Sequence, residues 1–151
     1  MMRLLWPLLA CTTTPSTPPS SAPPPGTVIT TVETLAKRVP LPKATESVRY
    51  RLDLLGSPGL GPTDYKLAAW VALSSDAEVE SLYGPSLKVA QSPEISVEEA
   101  DLLPPDLRPV PTDGVMRLDG ALRPGEPGGS MVVDSVVQVH GRGVFIWAHT
   151  Q

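Results

Sequence analysis

One cysteine, Cys11, is all this chain contains, so no intrachain disulfide can staple its fold. Two histidines, His140 and His149, stand without a cysteine or a placed carboxylate to complete a zinc ligand set, and the acidic residues do not follow the calcium-loop spacing. No metal and no cofactor are expected. No apolar stretch approaches the roughly 20 residues of a spanning helix. Twelve basic residues face 16 acidic ones and form no stripe. That excludes the phosphate-binding surface nucleic acid requires, and also electrostatic docking onto anionic headgroups. Asparagine is absent and Arg outnumbers Lys eight to four, biases that suit a GC-rich genome or a heat-adapted host.

Motifs of catalysis are missing too. There is no Gly-x-Ser-x-Gly, and Ser130 follows Gly128-Gly129 in a stretch, residues 123–130, whose Gly and Pro content predicts a mobile loop. The glycines Gly56, Gly59 and Gly61 lead through Pro62 into a strand instead of opening a helix, so they predict a hairpin connection and not a phosphate cradle.

What is present begins at the N-terminus. Arg3, an apolar run over residues 4–10 and then Cys11 have the layout of an export signal. The run Leu8-Leu9-Ala10-Cys11 resembles the lipobox of bacterial lipoproteins. The resemblance implies a diacylglyceryl group on the Cys11 thiol, removal of residues 1–10 as a signal peptide, and acylation of the new amino terminus. Each buried methylene contributes about 0.8 kcal/mol and one chain binds only marginally, so two or three chains make attachment effectively permanent. Thr12, where an Asp would imply inner-membrane retention, resembles an outer-membrane address in a host with two membranes. Residues 11–26 form the lipidated cysteine and a Thr/Ser/Pro tether, too poor in apolar groups to fold. In polyproline form, residues 12–26 reach about 45 Å. Without the leader the chain carries 11 basic and 16 acidic residues, a net charge of −5.

Residues 27–151 are one domain by length. Val48, Tyr50, Leu52 and Leu54 alternate with Arg49, Arg51 and Asp53 as in a half-buried strand. A second strand carries Tyr65, Leu67, Ala69, Val71 and Leu73 on one face. Lys66, Ala68, Trp70 and Ala72 on the other predict an interior position, antiparallel to the first. Ser75 with Glu78 and Ser96 with Glu99 predict two capping boxes opening short helices, the first ended by Gly84-Pro85 and the second by Pro104-Pro105. Residues 87–90 predict a short strand, as do the β-branched residues of 28–35, and residues 104–114 predict irregular chain. A last hairpin turns at Gly141-Arg142-Gly143, with Met131, Val133, Val137 and Val139 on one face and Asp134, Gln138 and His140 on the other. Val144, Phe145, Ile146 and Trp147 form its apolar return strand.

This order predicts an α+β fold, a small antiparallel sheet of five to six strands with one or two short helices; a β-sandwich is the alternative. Arg49 and Arg51 can grip a carboxylate in bidentate fashion, and Trp70, Trp147 and Tyr65 can stack on sugar or peptide if exposed, though core packing is the default. With Asp64 in the adjoining loop, Arg49, Arg51 and Trp70 are the candidate binding residues, and Cys11 is the lipidation site. The expected function is a non-catalytic lipoprotein of the cell envelope, partnered by the membrane through its anchor and by an envelope protein or peptidoglycan. One alternative is an inhibitor of a cell-wall hydrolase that inserts loop 56–64 or 123–130 into the enzyme's cleft. Another is a hydrolase using Asp53, Asp64, Asp119 and Asp134.

Overall fold

The stretch Asp64–Leu73 is apolar on both faces, and the fold is arranged to cover both. A computed structural model describes residues 24, 26–56, 64–125 and 127–150. The leader, Cys11, the tether up to residue 23 and loop residues 57–63 lie outside them. Among the described residues the helices are α1 (Val32–Ala36), α2 (Val79–Tyr83) and α3 (Val97–Ala100), with a 3-10 turn at Pro105–Leu107. The strands are β1 (Thr45–Leu55), β2 (Asp64–Leu73), β3 (Glu94–Ile95), β4 (Met116–Arg117), β5 (Ala121–Arg123), β6 (Pro127–Gly128), β7 (Met131–Val139) and β8 (Gly143–Thr150). The main sheet is open and antiparallel, ordered β1-β2-β8-β7-β5 with β6 also on β7; β3 and β4 form a separate pair.

The first sheet face buries Val48, Tyr50, Leu67, Ala69, Val71, Val136, Val144 and Ile146 under Leu35 and Val39 from the α1 segment and Val79 and Tyr83 of α2. The second face buries Ala68, Trp70, Val137 and Phe145 under Ile95, Ala100, Leu102, Leu103 and Leu118, all from residues 93–118. The predicted alternation on β1 and β2, and their antiparallel pairing, are as observed. Gly143 is required where it stands: its φ is +153°, and a methyl there would collide with the Val71 carbonyl and the Trp70 ring.

Several expectations are corrected. Residues 28–35 are not a strand: only Ile29 bridges to Tyr50, and α1 follows, burying Leu35. Residues 87–90 are not a strand either. Pro85 and Pro93 flank them, Leu87 and Val89 stay exposed, and only the Leu87 N–H reaches the sheet, at the Leu122 carbonyl. The capping box of Ser75 and Glu78 does not form: the helix starts only at Val79 with Glu78 as its N-cap, Ser75 Oγ accepts from the Ala77 N–H, and Glu78 Oε2 accepts from the distant Lys43 N–H. The second box forms fully, Ser96 Oγ accepting from the Glu99 N–H and Glu99 Oε2 from the Ser96 N–H.

On β7 a register shift between Val133 and Ser135 breaks the predicted face. Met131, Val133 and Val136 pack on the first face, whereas Val137 and Val139 pack on the second. The stretch 123–130 is not a free loop: Arg123 belongs to β5 and Pro127–Gly128 pairs with β7.

Candidate functional site at the polar end of the second sheet face

Residues 93–118 cover only part of the second face. Beyond Trp147 the face turns polar, because the strands carry charge at matching register positions. Arg51 lies opposite Ala68 and Ala68 opposite Trp147; in the next row Asp53 lies opposite Lys66 and Lys66 opposite His149. Facing side chains in neighbouring strands stand about 5 Å apart, so these groups form one shelf.

Two ion pairs and one His–Asp hydrogen bond hold it. Arg51 donates from Nε and Nη2 to Asp53 Oδ1, at 3.1 and 2.8 Å. Glu99 overhangs from α3, its side chain only 13% exposed, with Oε1 2.9 Å from the Trp147 indole nitrogen that donates to it and 3.6 Å from Lys66 Nζ. His149 Nδ1 lies 2.7 Å from Asp134 Oδ1. Neighbouring Glu98 has its carboxyl held below the ordinary value, first by its own backbone N–H, then by the Ser96 hydroxyl, with the Arg51 charge acting in the same direction. Trp147 is half-buried and tilted 51° against Phe145 at a centroid distance of 4.7 Å, so one side of its ring is held by Phe145 and its nitrogen by Glu99.

Of the sequence-predicted residues, Arg51 enters this shelf. Arg49 is half-buried one row away, opposite Trp70. Trp70 is only 3% exposed inside the second core cluster and offers no ring face to a ligand. Asp64 is exposed at the head of β2 and accepts from Thr150 Oγ1 at 3.3 Å, closing β2 against β8. Cys11 lies outside the described residues. Lys66, Glu99 and the His149–Asp134 pair were not singled out as a group in the sequence. Their strands were legible, but their adjacency needs the register of β2 on β8 and the docking of α3.

Of the four carboxylates of the hydrolase alternative, Asp53 and Asp134 lie on this shelf and Asp64 and Asp119 lie elsewhere, and each is engaged by a neighbour. Asp53 serves Arg51, Asp134 serves His149 and Asp64 serves Thr150. Asp119 accepts from Ser92 Oγ and lines a cleft with Val139, at the other end of β7 from Asp134. What the shelf offers is paired charge beside an aromatic edge, suited to a ligand with donors and acceptors of its own and not to an isolated ion. Comparison with known proteins finds no matching family model, no matching curated protein and no matching solved structure.

Proposed function

We propose that this chain is a lipid-anchored protein of the bacterial cell envelope whose folded part, of the α+β class, is a non-catalytic binding domain. The observation that carries this reading beyond the lipobox-like run is the junction of tether and fold. The Gly26 N–H donates to the Leu52 carbonyl at 3.4 Å, and Ile29 and Tyr50 exchange both main-chain hydrogen bonds, at 2.7 and 2.9 Å. Among the described residues, pairing begins at Gly26, at the end of the Thr/Ser/Pro composition and on the outer edge of β1 beside Arg51. A domain held there keeps its polar shelf near the point of attachment. Among the described residues no helix is long and apolar enough to cross a membrane; acyl chains on Cys11 are the attachment this reading requires.

Metabolic labelling with a palmitate analogue tests it. The wild-type chain should take up label and sediment with membranes, and Cys11→Ala should do neither. Equal labelling of the two, or none in either, would remove the anchor.

A further inference from the structure

The side of β4 that faces away from β3 opens onto a cleft, and we propose that this cleft receives an extended peptide segment of a partner protein, which adds to β4 as a strand. The Leu118 N–H donates to the Pro93 carbonyl at 2.9 Å, and Met116 lies opposite Ile95, so Met116 and Leu118 turn their main-chain groups toward β3. Alternation along a strand then turns the main-chain groups of Val115, Arg117 and Asp119 the other way. Val115 uses its pair: it exchanges both hydrogen bonds with Thr112, at 2.9 and 3.0 Å, around a turn in which Asp113 and Gly114 both have positive φ.

Past that bridge the arms part, because Pro109 and Pro111 on the opposing arm have no N–H to give. Among the described residues Arg117 and Asp119 form no main-chain hydrogen bond on this side. The gap is a cleft of about 270 Å³ lined by Pro109, Val110, Thr112, Val115, Arg117 and Asp119. A second cleft of about 260 Å³ shares Pro109, Arg117 and Asp119 and extends the first over Leu118 to Val139.

The charged side chains here are already engaged. Arg117 Nη2 donates to Glu94 Oε1 at 2.7 Å and Asp119 Oδ1 accepts from Ser92 Oγ at 3.1 Å. The cleft therefore presents free main-chain donors and acceptors with an apolar rim, Val110 being 83% exposed. That combination is the chemistry of strand addition, where ladder bonds give affinity and side-chain pockets give selectivity. The chain's own tether is a poor occupant, since six of residues 12–26 are prolines that cannot donate. The inference rests on the binding-domain reading but not on acylation of Cys11, so labelling and peptide binding fail independently.

The test uses the full ¹⁵N-labelled chain and pools of capped heptapeptides, with a matching set N-methylated at alternate residues. In the free protein the Arg117 and Asp119 amides should exchange rapidly with solvent. At least one pool should shift both signals saturably and protect them. N-methylation should weaken that binding about tenfold, the loss of about two ladder bonds. Val110→Lys, on an exposed side chain that does not threaten folding, should weaken it about fivefold. Protection of both amides in the free protein, no saturable shift with any pool, equal binding of the N-methylated set, or shifts that track protein concentration without peptide would each overturn the proposal. The last would mark a second copy as the occupant.

Discussion

Arg123 is 6% exposed, and among the described residues no carboxylate pairs with it. Its charge is held by neutral acceptors alone: Nε and Nη2 donate to Gln138 Oε1 at 2.9 and 2.5 Å, and Nη1 donates to the Gly84 carbonyl at 2.6 Å. One side chain thereby ties the exit of α2 to β5 and β7. Arg123→Ala leaves the Gln138 amide and the Gly84 carbonyl buried without that donor, and should cost about 2 kcal/mol in urea unfolding at unchanged m-value. Arg123→Lys should recover little, because one ammonium cannot span both acceptors. A lysine variant as stable as wild type would mean that charge, not the fork geometry, is what matters. Nothing in the local composition marks this arginine as buried: it sits just before a Gly/Pro-rich stretch, and only the pairing of β5 with β7 carries it inside.

Helix α3 has only four residues, too few to persist on local hydrogen bonding. Two devices hold it, both through Glu99: the reciprocal capping box with Ser96, and the acceptor it offers to the Trp147 indole. Ser96→Ala should therefore destabilise the domain by about 1 kcal/mol, read from the urea midpoint. Ser75→Ala, at the look-alike motif before α2, should change it by less than about 0.5 kcal/mol, since Ser75 Oγ accepts only a 3.3 Å bond from the Ala77 N–H. Equal effects would show that the two motifs had been wrongly distinguished. The sequence offers the same local signal at both places. It cannot say that Lys43 will arrive to take the Glu78 carboxylate of one and leave the other intact.

Across the whole molecule both outer edges of the main sheet are partly covered by short straps, Gly26 and Ile29 on β1 and Leu87 on β5, which limits edge-to-edge pairing. The first sheet face also sets the response to alkali. Burial pushes the Tyr83 phenol far above its ordinary value of about 10, and burial likewise raises Tyr50 against the opposing charge of Arg38. A phenol whose folded value is raised favours the neutral form in the fold. Its contribution is intact below about pH 10 and is lost as pH rises beyond that. Unfolding free energy followed by circular dichroism should thus fall steeply above about pH 10. Tyr83→Phe should begin about 1 kcal/mol lower at neutral pH, having lost the 2.6 Å bond its hydroxyl donates to the Pro40 carbonyl, and should fall less steeply. A mutant slope matching wild type would refute the assignment. On the acid side Glu98 and Asp106 are held below their ordinary values, so their contributions fade as pH drops through that range. Both are exposed and screened, and the effect should be shallow.

Elements with a local signal could be read from the residues alone. The two-faced apolar pattern of β2, the half-buried alternation of β1 and the turn at Gly141 are each written within a dozen residues. The Asp113–Gly114 turn was missed: its Asp-Gly pair is a standard two-residue hairpin signal, but the surrounding prolines predict irregular chain over 104–114. Tertiary structure decided what depends on distant partners. Whether 28–35 extends or coils turns on the burial of Leu35 against the sheet, and which way β7 faces turns on one inserted residue near Asp134. The shelf belongs to this second kind: it gathers residues from strands and a helix dozens of positions apart, which meet only after register and docking have been set by the burial of the two faces. The cleft is lined mainly by one short stretch, residues 106–119, and only its open side depends on a distant partner, the pairing of β4 with β3.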